Sequence, residues 1–344
     1  MNRLPALCLL ATALVLAGPA RALRPVTPPA PEFPPSLTWL NSEPFSLDRL
    51  HGRRVTVVGF LHPHSGATIR TLPALKRWWD LYALEGLMVI AVFTPEYSFD
   101  RSSQDALRNI RRLGLRFPIA LDADRRLWNA YGSEGWPSYY LLDESGRIVF
   151  DHLGENDTPE FEREILAALE RFNGFRSTQA ASVPAARGDC GPSTRPLEFV
   201  EHKRPSIPAF SIMKFDTFME SHDGEVSSIG EWKLEADGLR SAKPSASLHI
   251  FYRGASSTAL LSKNGPKPAK LFIRQDNLWL HKGNAGPDIL FDDDEQSFVI
   301  VDEPRPYGLT RNKRPDMHEL LLSPESPGLG IHAVEFANAC QTGP

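Results

Sequence analysis

Two folded units are expected from this sequence, an α/β domain on a parallel-stranded sheet and then an all-β sandwich, and three observations predict them. Val55 to Phe60 and Leu87 to Phe93 are continuous apolar runs, the pattern of central strands covered by helices on both faces. Between them Leu72, Leu75, Trp79 and Tyr82 recur at spacings of three and four before Gly86, a helix with one apolar stripe and a glycine stop. Beyond residue 196 no helical stripe recurs, and short β-rich segments alternate with turns rich in Gly, Pro, Asn and Asp, as in a sandwich. A length of 344 residues accommodates both units.

In chain order, Arg3, the apolar run Leu7 to Leu16 and Ala20-Arg21-Ala22 form a secretory signal over 1–22. The run is too short to span a bilayer, which takes about 20 residues. Cleavage after Ala22 removes Arg3 and Arg21 and leaves 36 basic against 42 acidic residues, net −6. Residues 23–36, with six prolines, read as an extended tether outside any core. The α/β domain is expected over 37–175. It continues with a helix carrying Ala106, Ile110 and Leu113, a short strand at Phe117 to Leu121, and a hairpin turning at Glu144-Ser145-Gly146. A closing helix has the stripe Phe161, Ile165, Leu169 and Phe172. Residues 176–196 are small, polar and Pro/Gly-punctuated, a linker. The sandwich is expected over 197–344, with strands at 247–252, 270–274, 297–301, 318–322 and 331–336.

Composition narrows the function. Basic and acidic residues number 38 and 42, without the basic excess of a general nucleic-acid binder. Three cysteines exclude a disulfide-rich scaffold and four-thiolate metal sites. With Cys8 in the signal, Cys190 and Cys340 remain; export to an oxidising compartment favours a single disulfide between them. No cofactor is expected.

Several landmarks of the first unit stand in order: Phe60 ending a buried strand, His62-Pro63-His64, Arg70-Thr71-Leu72-Pro73, Leu87 to Glu96, Phe99, Trp136-Pro137-Ser138 and Leu153-Gly154-Glu155. With them the segment from about 37 to 172 resembles the periplasmic part of the DipZ-like cytochrome c biogenesis proteins, relatives of the TlpA and ResA thiol-disulfide oxidoreductases. The resemblance implies a thioredoxin-like fold, a cis bond at Trp136-Pro137 and a periplasmic or secreted location. Gly230-Glu231-Trp232, Pro304 to Tyr307 and Pro327-Gly328-Leu329 extend it into the second unit, which in such proteins is a jelly roll like those of carbohydrate-binding modules.

One departure decides the chemistry. The family carries Cys-x-x-Cys just before the Arg-Thr-Leu-Pro segment, and Ser65-Gly66-Ala67-Thr68 stand there. Disulfide exchange needs an attacking thiolate and a resolving thiol, and Ser65 and Thr68 supply neither. Ser65 reads as a helix N-cap. Its alternative role is a nucleophile served by His62 or His64, which would make the 62–68 loop a Ser/His-dependent enzyme site; a surviving oxidoreductase activity is the other enzymatic alternative. His62 and His64 read as exposed loop histidines, because a metal site needs at least one further ligand. The resemblance implies a groove at Ser65, Gly66, Trp136, Pro137 and Ser138 able to bind a protein or extended peptide. In the sandwich, Trp232, Tyr252, Trp279 and Tyr307 are candidates for stacking a glycan. Asp292, Asp293, Asp294 and Glu295 form an acidic turn that is a weak candidate for Ca²⁺.

Overall fold

The computed structural model describes residues 27–155, 158–177, 193–201, 203, 205, 222–244 and 246–338. The expected signal segment, Cys190 and Cys340 lie outside them, as does most of the expected linker.

The first domain runs β1 (Thr38–Leu40), β2 (Val55–Leu61), α1 (Gly66–Tyr82), β3 (Leu87–Phe93), α2 (Ser103–Leu113), β4 (Ile119–Leu121), α3 (Arg126–Tyr131), β5 (Ser138–Leu142), β6 (Ile148–Leu153) and α4 (Thr158–Asn173). The sheet order is β1-β4-β3-β2-β5-β6, with β2, β3 and β4 parallel and the others antiparallel. This is the thioredoxin-like α/β architecture. Every residue of β2 is buried, and the alternation of its side chains divides them between two cores. Val55, Val57 and Leu61 meet α1, α2 and α4 on one face. Val58 and Phe60 meet Phe33, Leu47, Leu127 and Trp128 on the other. Gly59 lies on the first of these faces by the same alternation, close under Tyr139: an added Cβ would stand 3.2 Å from its ring.

The proline-rich segment is not wholly a tether. Ala30 N donates to Gly146 O and Ile148 N to Pro28 O, and Phe33, only 5% exposed, packs edge-on to Trp39 and Phe45. Prolines cannot supply a strand ladder, but the non-proline residues among them can still pair at a sheet edge and fill a core. Helix α3 escaped sequence reasoning because six residues carry too short a period to stand out. It is started instead by Asp122, whose carboxylate accepts from Leu127 N and Trp128 N at 3.1 and 2.9 Å.

The second domain comprises β7 (Leu197–Glu198), β8 (Val226–Ile229), β9 (Trp232–Glu235), β10 (Gly238–Ser241), β11 (Ser247–Arg253), β12 (Ser256–Lys263), β13 (Ala269–Gln275), β14 (Leu278–Trp279), β15 (Leu290–Phe291), β16 (Ser297–Val301), β17 (Arg305–Arg311), β18 (Met317–Pro324) and β19 (Leu329–Ala337). One sheet runs β17-β12-β19-β10-β9 with β7 alongside β19, the other β15-β16-β13-β18-β11-β8 with β14 alongside β13. Their inner faces close on one core that includes Ile250, Leu261, Ile273, Val299, Leu322 and Ile331. Two of the proposed stacking aromatics belong to this core. Tyr252 and Tyr307 are fully buried, held by Thr310 and Asp302 through their hydroxyls.

In the first domain, Phe161 of α4 stacks on Trp78 of α1 at 5.4 Å and meets Tyr139 edge-on at 5.7 Å. Replacing Phe161 by Ala is expected to cost about 3–5 kcal/mol, measured as a fall in the denaturant midpoint. A loss under about 1 kcal/mol would mean that α4 does not close this core.

Candidate functional site

The site is built where α1 begins. Ser65, in extended backbone, caps the helix, its hydroxyl accepting from Thr68 N at 3.4 Å. Thr68 is buried and its hydroxyl accepts from His62 N at 3.3 Å. Ser65 and Thr68 therefore serve the local fold, and Ser65 Oγ faces an amide rather than an imidazole. The expected cis peptide is present at Trp136-Pro137. Pro137 and Ser138 are buried, Pro137 O accepts from Gly154 N at 2.8 Å, and Ser138 Oγ donates to Gly135 O at 2.6 Å.

His62 and His64 are not exposed. They are 2% and 4% accessible and bracket one buried carboxylate, Asp100, in the turn after β3. His62 Nε2 lies 2.8 Å from Asp100 Oδ2, and His64 Nε2 lies 3.1 Å from Oδ1. Asp100 Oδ2 also accepts from Tyr97 N at 3.1 Å. Burial works against the charge on Asp100, but His62 and His64 outweigh it and hold its pKa well below the ordinary carboxylate range. Burial likewise disfavours the His62 cation, and Asp100 overcomes it, so His62 is raised. His64 goes the other way, lowered chiefly by burial. These shifts favour charge on His62 against the Asp100 carboxylate and disfavour it on His64. Among the described residues no group of three or more His, Cys, Asp or Glu is arranged to hold a metal ion. Asp100 escaped sequence reasoning because its partners lie 38 and 36 residues away; the local signal was an acidic residue able to bond the amide three positions before it.

The second domain lies on this face. Glu335 of β19 accepts from Gly66 N, the first amide of α1, at 2.9 Å. Burial raises the Glu335 pKa, while Gly66 N–H and Arg70 favour its charge. Ser98 N and Oγ donate to Asp237 Oδ2 at 2.9 and 2.5 Å. Lys203 Nζ bonds Glu96 at 2.9 Å and lies 5.8 Å over the Trp136 ring. Tyr97 and Phe99, stacked at 5.2 Å, receive His332 edge-on at 5.5 and 4.9 Å. His332 Nδ1 donates to Asp237 O at 2.6 Å, so Nε2 accepts from Ser262 Oγ at 2.7 Å. A small apolar cluster of Tyr97, Val200, Leu260 and Ala333 completes the junction. Between the domains remains a cavity of about 250 Å³ bordered by His64, Gly66, Arg70, Thr258, Pro306 and Glu335. The groove anticipated as open to a peptide thus has its helix end occupied from within the chain.

Elsewhere, Trp232 is half-buried and donates Nε1 to Ser247 O, whereas Trp279 is 37% exposed. With His281, Lys282, Phe291, Asp294 and Glu295 it borders a cleft of about 620 Å³. In the acidic turn, Asp292 accepts from Gln296 N at 2.8 Å and lies 3.7 Å from Lys270.

Residues 25–169 match the family model described as Redoxin. The first domain is a thioredoxin-like redoxin domain of the TlpA/ResA type. Over 131 residues it is 33% identical to the protein DipZ of Mycobacterium tuberculosis, covering 37% of this chain and 19% of that protein. The thiol-disulfide oxidoreductase YkuV of Bacillus subtilis is 25% identical over 141 residues, 41% of this chain and 94% of YkuV. A solved structure from Chlorobium tepidum, described as a putative thiol:disulfide interchange protein DsbE, is 25% identical and covers 42% of this chain and 96% of its own, with a TM-score of 0.38. The chain spans about a fifth of the length of the DipZ proteins, and the redoxin match ends before the sandwich.

Removing one partner of a buried ion pair is costly, so Asp100→Ala should lose about 3–5 kcal/mol in denaturant unfolding. The pair also predicts a pH dependence. Because folding raises the His62 pKa, its contribution is complete below the ordinary imidazole value of about 6.5 and declines as pH rises through the raised value. The stability advantage of the native chain over His62→Gln should therefore be larger at about pH 6 than at about pH 9; His64 titrates in both proteins and largely cancels. An advantage that grows with pH would contradict the ion pair.

Proposed function

We propose that this is an exported, non-redox member of the thioredoxin-like fold, an envelope-associated accessory protein whose former active-site face binds protein segments. The observation that supports this most is the use made of the two redox positions. Ser65 caps α1, Thr68 is buried against His62 N, and Glu335 holds the amide between them. In a thiol enzyme the same helix end stabilises a thiolate; here the acceptors are a hydroxyl and a carboxylate, which cannot exchange disulfides. Main-chain groups beside a cis-proline suit an extended partner. Export rests on Arg3, Leu7 to Leu16 and Ala20-Arg21-Ala22. A second ligand, of glycan type, is favoured at the Trp279 cleft, where an exposed indole stands beside Asp294 and Glu295.

The relatives named as thiol-disulfide oxidoreductases make redox activity the competing reading. Insulin reduction with dithiothreitol separates the two: the native chain should not exceed the uncatalysed rate. The double variant Ser65→Cys with Thr68→Cys, which places two sulfurs on one helical turn, should gain turnover. Clear catalysis by the native chain would overturn the non-redox reading. For the binding role, a photo-crosslinker at the exposed Glu134, in the loop before Trp136-Pro137, should capture envelope proteins, and capture confined to the sandwich would assign binding to that domain alone.

A further inference from the structure

The contacts between the domains are of a kind that a competitor can replace. Among the described residues the polar contacts include Glu335 on Gly66, beside the cavity, and Asp237 on Ser98, Lys203 on Glu96 and Arg108 with Glu303 nearer the rim. The apolar part is small, essentially Tyr97, Phe99, Val200, Leu260 and Ala333. The middle is not filled, leaving the cavity of about 250 Å³. His64 borders that cavity, is 4% exposed, and has no hydrogen-bond partner at Nδ1. A tightly evolved permanent interface packs like a protein interior, whereas polar junctions are typical of separable domains.

We propose that the sandwich is a resident, displaceable occupant of the redoxin face, and that the external partner is an acidic extended segment presenting what β19 presents. β19 places the His332 ring on the Tyr97–Phe99 shelf and, three residues later, the Glu335 carboxylate on the first amide of α1. A helix N-terminus favours an anion there, and Arg70 adds positive charge beside it. The register of β12 on β19 shifts at His332, and this bulge puts the ring and the carboxylate on one face although they are three residues apart; an incoming chain that reproduces the spacing and the kink meets both features, and it can add an apolar side chain to the unfilled cavity. Because the resident strand is tethered, its effective concentration is high, and an outside segment is weakened by the fraction of time the face is closed. This deepens the protein-binding reading above and rests on it.

Gly66 provides a way to open the face without touching the sandwich. A methyl at this position would run into the Glu335 carboxylate and crowd Arg70, while alanine favours the helix itself. The full chain, its Gly66→Ala variant and its Glu335→Ala/Asp237→Ala variant should be compared in two ways. The first is amide hydrogen exchange, which needs no ligand: both variants should lose protection at residues 98–101 at least tenfold, with the β2 amides unchanged. Unchanged exchange at 98–101 would overturn the resident-occupant proposal. The second is fluorescence anisotropy with the labelled peptide His-Ala-Val-Glu-Phe, acetylated and amidated. The Glu335→Ala/Asp237→Ala variant should bind it at least tenfold more tightly than the native chain, and a Gln in place of its Glu should abolish the gain; Gly66→Ala should show no such gain, because the methyl that displaces Glu335 also denies the amide to the peptide's carboxylate. A Glu335→Ala/Asp237→Ala variant that opens but binds neither peptide would overturn the acidic-segment partner and the binding reading beneath it, leaving the closed face established by exchange.

Discussion

The first turn of α1 has amides that no residue of the helix can satisfy, and they carry partial positive charge. What accepts from them decides how the rest of the molecule is arranged. Ser65 Oγ takes the Thr68 amide and Glu335, from the far end of the chain, takes that of Gly66. That second bond brings β19 against the redoxin domain, and with β19 come His332, Asp237 and the outer face of one sandwich sheet. The acceptors at this helix end are a hydroxyl and a carboxylate, and the carboxylate holds the sandwich there without a thiol.

A second layer holds the docking platform rigid. Asp100 ties the loop after β2 to the turn after β3 through His62 and His64, and the same turn carries Tyr97 and Phe99 onto which the sandwich settles. Burying these charges is costly, and the cost is offset because each carboxylate oxygen faces an imidazole and Oδ2 also takes an amide. The ion pair is thus spent on shape: it fixes where the stacked aromatic shelf stands relative to the α1 terminus.

What was legible in the sequence was local or strongly periodic. The buried strands β2 and β3, the stripes of α1, α2 and α4, the hairpin at Glu144 to Gly146 and the cap at Ser65 follow from patterns within a few residues. What was hidden depends on partners far away in the chain. Asp100 reads as one polar residue in Tyr-Ser-Phe-Asp-Arg, and its meaning comes from His62 and His64. Glu335 looks like an outward-facing strand residue until Gly66, 269 positions earlier, is beside it. Phe33 was masked by prolines that suit a tether, and β12 by its small polar start, Ser256-Ser257-Thr258. Which of the sandwich aromatics are core, as Tyr252 and Tyr307 are, depends on register, and register is not visible in a single strand.

The most direct test is to follow the Gly66 amide resonance of the full chain by NMR while the pH is lowered. If Glu335 accepts from it in solution, the resonance should titrate with a midpoint above the ordinary carboxylate value, because burial raises Glu335, and the titration should vanish in Glu335→Gln. A Gly66 amide that exchanges rapidly with solvent and is indifferent to Glu335→Gln would show that the sandwich does not rest on the α1 terminus, and the account built on that contact would fail.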